Sequence, residues 1–210
     1  MKLIKVFLRI IAGILAAVLL FGAFWFLILP NMPFGFAREV TPAEKELRMQ
    51  IVSTADSWLG TQEGSDAHAQ IIQIYNSHEP LAQGYAMKIE DNWCAAFGSF
   101  AAIKSGLTDI IPTECGCERQ TVLWQERGRW EERDNYVPLP GDYIYYAWDE
   151  YTPGDCTGWA DHVGIVTGTW GPFIRVIEGN WQDSVSYHYV FLGDINIRGY
   201  GLPDYASKIG

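Results

Sequence analysis

The sequence has no C-x-x-C pair among its four cysteines, no internal repeat, no low-complexity stretch and little positive charge. Without C-x-x-C, both a thioredoxin-type redox motif and a paired-cysteine zinc site lose their usual signature. Lys and Arg number 15 against 25 Asp and Glu, a net charge of −10, which argues against a nucleic-acid partner because phosphate binding needs a basic patch. Lys2, Lys5 and Arg9 are among those 15, so the remainder of the chain is more acidic still. At 210 residues there is material for one sizeable core and too little for two comfortable domains.

What is present begins with an apolar run. Ile10 through Leu29 contains no charged or strongly polar side chain, and at about 1.5 Å per residue such a run matches the roughly 30 Å hydrocarbon core of a bilayer. It ends in Leu29-Pro30-Asn31-Met32-Pro33 without a small-x-small cleavage site, as an uncleaved signal anchor would. The basic residues precede it, which keeps the N-terminus in the cytoplasm and places the rest outside the cell membrane. The expected organisation is a stub and single transmembrane helix over residues 1–30, a stem over 31–40, and one catalytic domain over 41–210.

The external part reads as helices first and strands after. Thr41-Pro42-Ala43-Glu44 combines an N-cap, a proline at the first helical position and a glutamate three residues after the cap. Leu47, Ile51, Ala55, Trp58 and Leu59 follow at helical spacing. Further helices are predicted over residues 66–76 and from Trp93 to about Ser105, with a short one around "QTVLWQERG". After Pro140-Gly141-Asp142 come "YIYYAW", "HVGIVTG", "FIRVIEGN", "SVSYHYV" and "INIRGYG", aromatic and β-branched runs divided by turn residues. This order predicts an α+β domain with an antiparallel sheet.

Cys94 falls in the first turn of the third of these helices, where free N–H groups and the helix dipole favour a thiolate. The bland alternative is a small core residue or half of a disulfide. His162 opens one predicted strand, and Glu178 and Asn180 share a face near the end of the next. A hairpin loop centred near residue 170 sets His162 directly opposite Glu178. A thiol, an imidazole to move its proton, and a carboxylate or amide to fix the ring are the parts of nucleophilic acyl transfer. His188 is expected to face solvent, His68 and His78 to be ordinary surface residues, and Asp161 to point away from the face of His162. Among the tryptophans, Trp93, Trp159 and Trp181 are candidates to line a substrate groove, although large aromatics are more often core. Asp142, Asp149, Glu150, Asp155 and Asp161 are read as a solvated acidic loop with no defensible metal-ligand spacing. With Cys94 reserved as a free thiol, Cys156 is expected to bridge Cys115 or Cys117, with Cys117–Cys156 the pair carried forward.

"NWCAAFGSFAAIKSG", "PLPGDYIYYAWD", "ADHVGIVTG", "VIEGN" and "IRGYGLPDY", in that order across residues 47–205, resemble the CHAP family of cysteine, histidine-dependent amidohydrolases and peptidases that cut bacterial peptidoglycan. The resemblance implies a papain-like α+β fold, with Cys94 as nucleophile, His162 as base, Glu178 as orienting acid and Asn180 as its companion. It implies peptidoglycan as partner, hydrolysis of an amide bond (N-acetylmuramoyl-L-alanine or stem and cross-bridge peptide) and no metal or organic cofactor. The segment "DEYTPGDCTGW" and the Cys115-Gly116-Cys117 region depart from the family pattern and bear on substrate choice. The rival reading is a non-catalytic cell-wall-binding or scaffold module of an envelope complex.

Overall fold

The structure, a computed structural model, describes residues 2–23, 38–148 and 157–209, with side chains from Arg9 onward. Among the described residues five helices precede a six-stranded antiparallel sheet in the chain: α1 (Lys2–Ala23), α2 (Pro42–Asp56), α3 (Asp66–Asn76), α4 (Cys94–Lys104), α5 (Cys117–Glu126), then β1 (Trp130–Glu131), β2 (Tyr143–Tyr146), β3 (His162–Trp170), β4 (Phe173–Trp181), β5 (Ser184–Phe191) and β6 (Ile197–Gly201). The strands lie in the order β1-β6-β2-β3-β4-β5. The expected α+β layout is therefore observed, and β1 is an addition to it.

The described residues do not show the expected anchor. Among the described residues no helix is long and apolar enough to cross a membrane. The described part of the expected run, up to Ala23, is helical, and residues 24–29, like the stem up to residue 37, lie outside the described residues.

α2 begins where its cap predicts, with the Thr41 hydroxyl accepting the Glu44 N–H at 3.2 Å. The Glu44 carboxylate is engaged elsewhere, by Arg48 at 2.9 Å and by Arg38. Arg48 in turn donates to Asp142 at 2.7 Å, so Asp142, expected in a solvated acidic loop, is fully buried. Burying that carboxylate is tolerable because a cation meets it. Asp161 is exposed as expected, and Asp149, Glu150 and Asp155 fall outside the described residues.

Both faces of the sheet are covered. Tyr143, Tyr145, Val163, Ile165, Ile177 and Val185 pack toward α4, whereas Ile144, Tyr146, Val166, Val176 and Val190 form a second core on the other side. α4, rich in small residues, comes very close: the Tyr143 hydroxyl donates to the Gly98 carbonyl at 2.7 Å. At Gly179 a Cβ would stand 2.4 Å from that of Phe97 and 2.9 Å from the Trp93 ring. That contact presses the start of α4 against the end of β4.

Candidate active site

Cys94 is the first residue of α4, and no side chain caps that helix. Its N-terminal N–H groups are thus free to face the sulfur. The Cys94 thiol is held well below its ordinary range. A hydrogen bond from the Cys117 thiol is the largest cause; burial opposes it, and His162 and the Ala95 N–H reinforce it. The two sulfurs lie 3.4 Å apart.

His162 is the first residue of β3, at the end of the sheet that α4 overhangs. Its Nε2 lies 3.2 Å from Glu178 Oε2, and Cys94 also acts on the charge of the ring. Burial disfavours the imidazolium, but the bonds to Cys94 and Glu178 prevail and raise its pKa to about 10. Glu178 is fully buried; burial favours its neutral form, yet His162 and His188 hold its pKa below the usual carboxylate value.

The register bringing these groups together differs from the expected one. β3 pairs with β4 as Ile165↔Ile177 and Val166↔Val176, and a bulge at Thr167 then leads to Trp170↔Phe173 around a two-residue turn. Continued toward the site, this pairing sets Gly164 opposite Glu178 and makes His162 its diagonal neighbour. The shift is of two positions, so both side chains stay on one face. Gly164 leaves the space that Glu178 needs, since a Cβ there would lie 2.6 Å from Glu178 Cγ.

Several expected roles change. Asn180 does not orient the imidazole: its backbone is left-handed (φ 58) after the break in β4–β5 pairing, and its Nδ2 donates to Asn92 Oδ1 at 3.3 Å. Trp93 is fully buried, with its Nε1 donating to Glu63 at 3.1 Å, so it cannot line a groove. Trp159 is open to solvent, 76 % exposed, and Trp181 is half-buried with its ring stacked on His188 at 4.2 Å. Cys117 carries a free thiol facing Cys94, not one bridged to Cys156, which lies outside the described residues. His68 is fully buried against Trp93, with ring centroids 4.5 Å apart.

Cys117 and His188 are the two site residues that sequence reasoning missed. His188 was expected to face solvent; it is half-buried, with its Nδ1 3.2 Å from Glu178 Oε1. The turn residues Gln182-Asp183 carried only part of that signal: the tight turn pairs Trp181 with Ser184, and a one-residue shift between Glu178 and Trp181 then sets Val176 opposite His188 and Glu178 opposite Ser186. For Cys117 the sequence offers no such cue.

A buried thiolate facing an imidazolium steadied by a carboxylate can attack a carbonyl carbon and protonate a leaving amine. No family model matches the chain, and no curated protein matches it. Among solved structures it is similar to Ly7917, at 12 % identity over 75 % of this chain and 62 % of that one with a TM-score of 0.44. It is also similar to Ly7917 with the hydrolyzing product of MDP, at 11 % identity over 74 % and 62 % with a TM-score of 0.43. An NlpC/P60 family protein from Bacillus cereus matches at 17 % identity over 74 % and 40 %, with a TM-score of 0.42. The chain spans less than two thirds of the length of each, and likeness at this level does not place it in any of their families.

Proposed function

We propose that this chain is a peptidoglycan hydrolase that cleaves an amide bond by a thiol mechanism. The observation carrying the proposal is the Cys94 sulfur at a helix N-terminus, close enough to His162 for each to shift the other's proton, with Glu178 3.2 Å from the ring's Nε2. The Cys94 thiolate attacks the amide carbonyl, and backbone N–H groups at the start of α4, that of Cys94 included, stabilise the oxyanion. The His162 imidazolium protonates the departing amine, and water then releases the thioester with His162 as base. Peptidoglycan as substrate rests on the CHAP-like motifs in the sequence, and solvent-exposed Trp159 is available to stack on a sugar ring.

A position at the outer face of the cell membrane belongs to the same proposal. Its support is the basic N-terminus ahead of the apolar run, together with the exposed Ile14, Val18, Leu19 and Leu20 of α1, a surface that water does not favour. Protease added to intact cells should then remove the domain.

The deciding experiment is muropeptide release from purified sacculi. Wild type should release fragments, and mass spectrometry of these identifies the bond; Cys94→Ala should fall to background. Equal behaviour of the two proteins would replace the hydrolase with a wall-binding module.

A further inference from the structure

The two helices that meet at the site each begin with a cysteine. Cys94 opens α4 and Cys117 opens α5, and neither helix has a side-chain cap. Their sulfurs are 3.4 Å apart, both are free, and both are almost entirely enclosed. A disulfide bond is about 2.0 Å long, so closing it asks for a movement on the order of 1 Å, within reach of side-chain rotation. The third described cysteine stands aside, with the Cys115 sulfur facing Glu114 Oε1 at 3.6 Å.

We propose that Cys94 and Cys117 form a reversible disulfide, an oxidative modification site that takes a low-molecular-weight disulfide as its oxidant. The consequence for activity, that bridging silences the enzyme, rests on Cys94 being the nucleophile as proposed above; the bond itself does not.

The chemistry proceeds in two exchanges. The Cys94 thiolate attacks one sulfur of the small disulfide, forming a mixed disulfide and expelling one thiolate. Until then the neighbouring Cys94 anion, followed by burial, keeps the Cys117 proton in place. Once Cys94 is a neutral disulfide that restraint is gone, and Cys117 releases its proton to solvent and attacks the Cys94 sulfur. The second small thiolate leaves. Two electrons have passed from the cysteine pair to the small disulfide, which departs as two thiols, and excess small thiol reverses both steps.

The order of events follows from the two environments. The ionised member is the better first attacker, and the protonated one is held in contact until needed. A nucleophile that works outside the cytosol meets oxidising conditions, where a lone thiolate proceeds to sulfinic and sulfonic acids that thiols cannot repair. The internal bridge diverts Cys94 into a form that they can.

The test uses the full chain, fully reduced, then treated with oxidised glutathione and alkylated. Peptide mapping should find Cys94 linked to Cys117, with intact mass lower by two hydrogens and dithiothreitol restoring both thiols. In Cys117→Ser, glutathione should remain attached to Cys94 as a stable adduct, while Cys115→Ser should bridge as wild type does. Sacculus hydrolysis should fall in proportion to the bridged fraction and return on reduction. A Cys117–Cys156 peptide, or glutathione retained on Cys94 in the wild type, would overturn the proposal even if the variant fails to fold. Should the reduced protein prove inactive on sacculi, the peptide map still decides the bridge, and only the hydrolase reading is lost.

Discussion

Glu178 is enclosed by the sheet, and burial alone would leave it neutral; it stays ionised because His162 and His188 each hydrogen-bond one of its oxygens. Its charge is in turn part of what keeps the His162 imidazolium protonated up to about pH 10, against the cost of burial. The sign follows directly. A raised imidazole pKa preserves the proton donor as pH climbs, so activity should hold through neutral pH and fall as pH passes through that value. Glu178→Gln keeps the shape and removes the charge, and the alkaline limb of kcat against pH should move down by roughly 1–3 pH units. An unmoved limb would show that Glu178 does not control the ring. Cys94 and His162 were legible because each opens an element that composition marks clearly, and Glu178 because it lies within the strand next to His162. His188 was missed because strand alternation alone does not say which face is buried, and here both faces are. Cys117 was missed because its contact with Cys94 arises from the docking of two helix termini 23 residues apart.

Among the elements, β4 does the most to assemble the site, serving both faces of the sheet within three residues. Ile177 and Gly179 face α4, while Glu178 faces the second core and reaches His162 along its own side. Strand positions were readable from runs of β-branched and aromatic residues, but the register was not. The Thr167 bulge and the turn at Gly171-Pro172 move the pairing by two positions from the hairpin assumed, and only the even size of that shift kept His162 and Glu178 together. Gly179 was visible only as part of a motif, and its physical role is the close approach of α4. Gly179→Ala places a methyl where Phe97 and Trp93 already stand, an overpacking expected to cost about 1–3 kcal/mol. Because the displaced end of α4 carries Cys94, the thiolate should lose its partner as well. Two measurements check this: a lower urea midpoint, and slower alkylation of Cys94 by iodoacetamide at neutral pH. A variant that loses stability but alkylates at the wild-type rate would show that α4 docking does not set the geometry of the site.

Across the whole molecule, chemistry and stability are concentrated at opposite ends of β2. Tyr146 pairs with His162 at the site end, whereas Asp142 precedes the strand at the other. There Arg48, almost wholly buried on α2, donates to Glu44 at 2.9 Å, to Asp142 at 2.7 Å and to the Pro140 carbonyl at 3.0 Å, and its guanidinium lies 4.5 Å from the Tyr205 ring centroid. Tyr205 completes the tie by donating its hydroxyl to the Gly141 carbonyl at 2.9 Å. One cation thus joins the first helix of the domain, the turn entering the sheet and the C-terminal 3₁₀ turn Tyr205–Lys208. The sequence showed Asp142 as one acidic residue among several, since nothing local reveals a partner 94 positions away. Arg48→Met leaves buried Asp142 without a cation and Glu44 with Arg38 alone, and should cost about 3–5 kcal/mol in urea unfolding. Converting the carboxylates too, in Glu44→Gln/Arg48→Met/Asp142→Asn, removes the stranded charge and should recover most of that loss, because the penalty lies in unpaired ions more than in the missing pair. Hydrolysis per folded molecule should be unchanged in both variants, since no member of this cluster touches Cys94, His162 or Glu178. A single variant as stable as wild type would mean that Glu44 and Asp142 take up protons or water without cost, and that the domain is closed by its apolar cores alone.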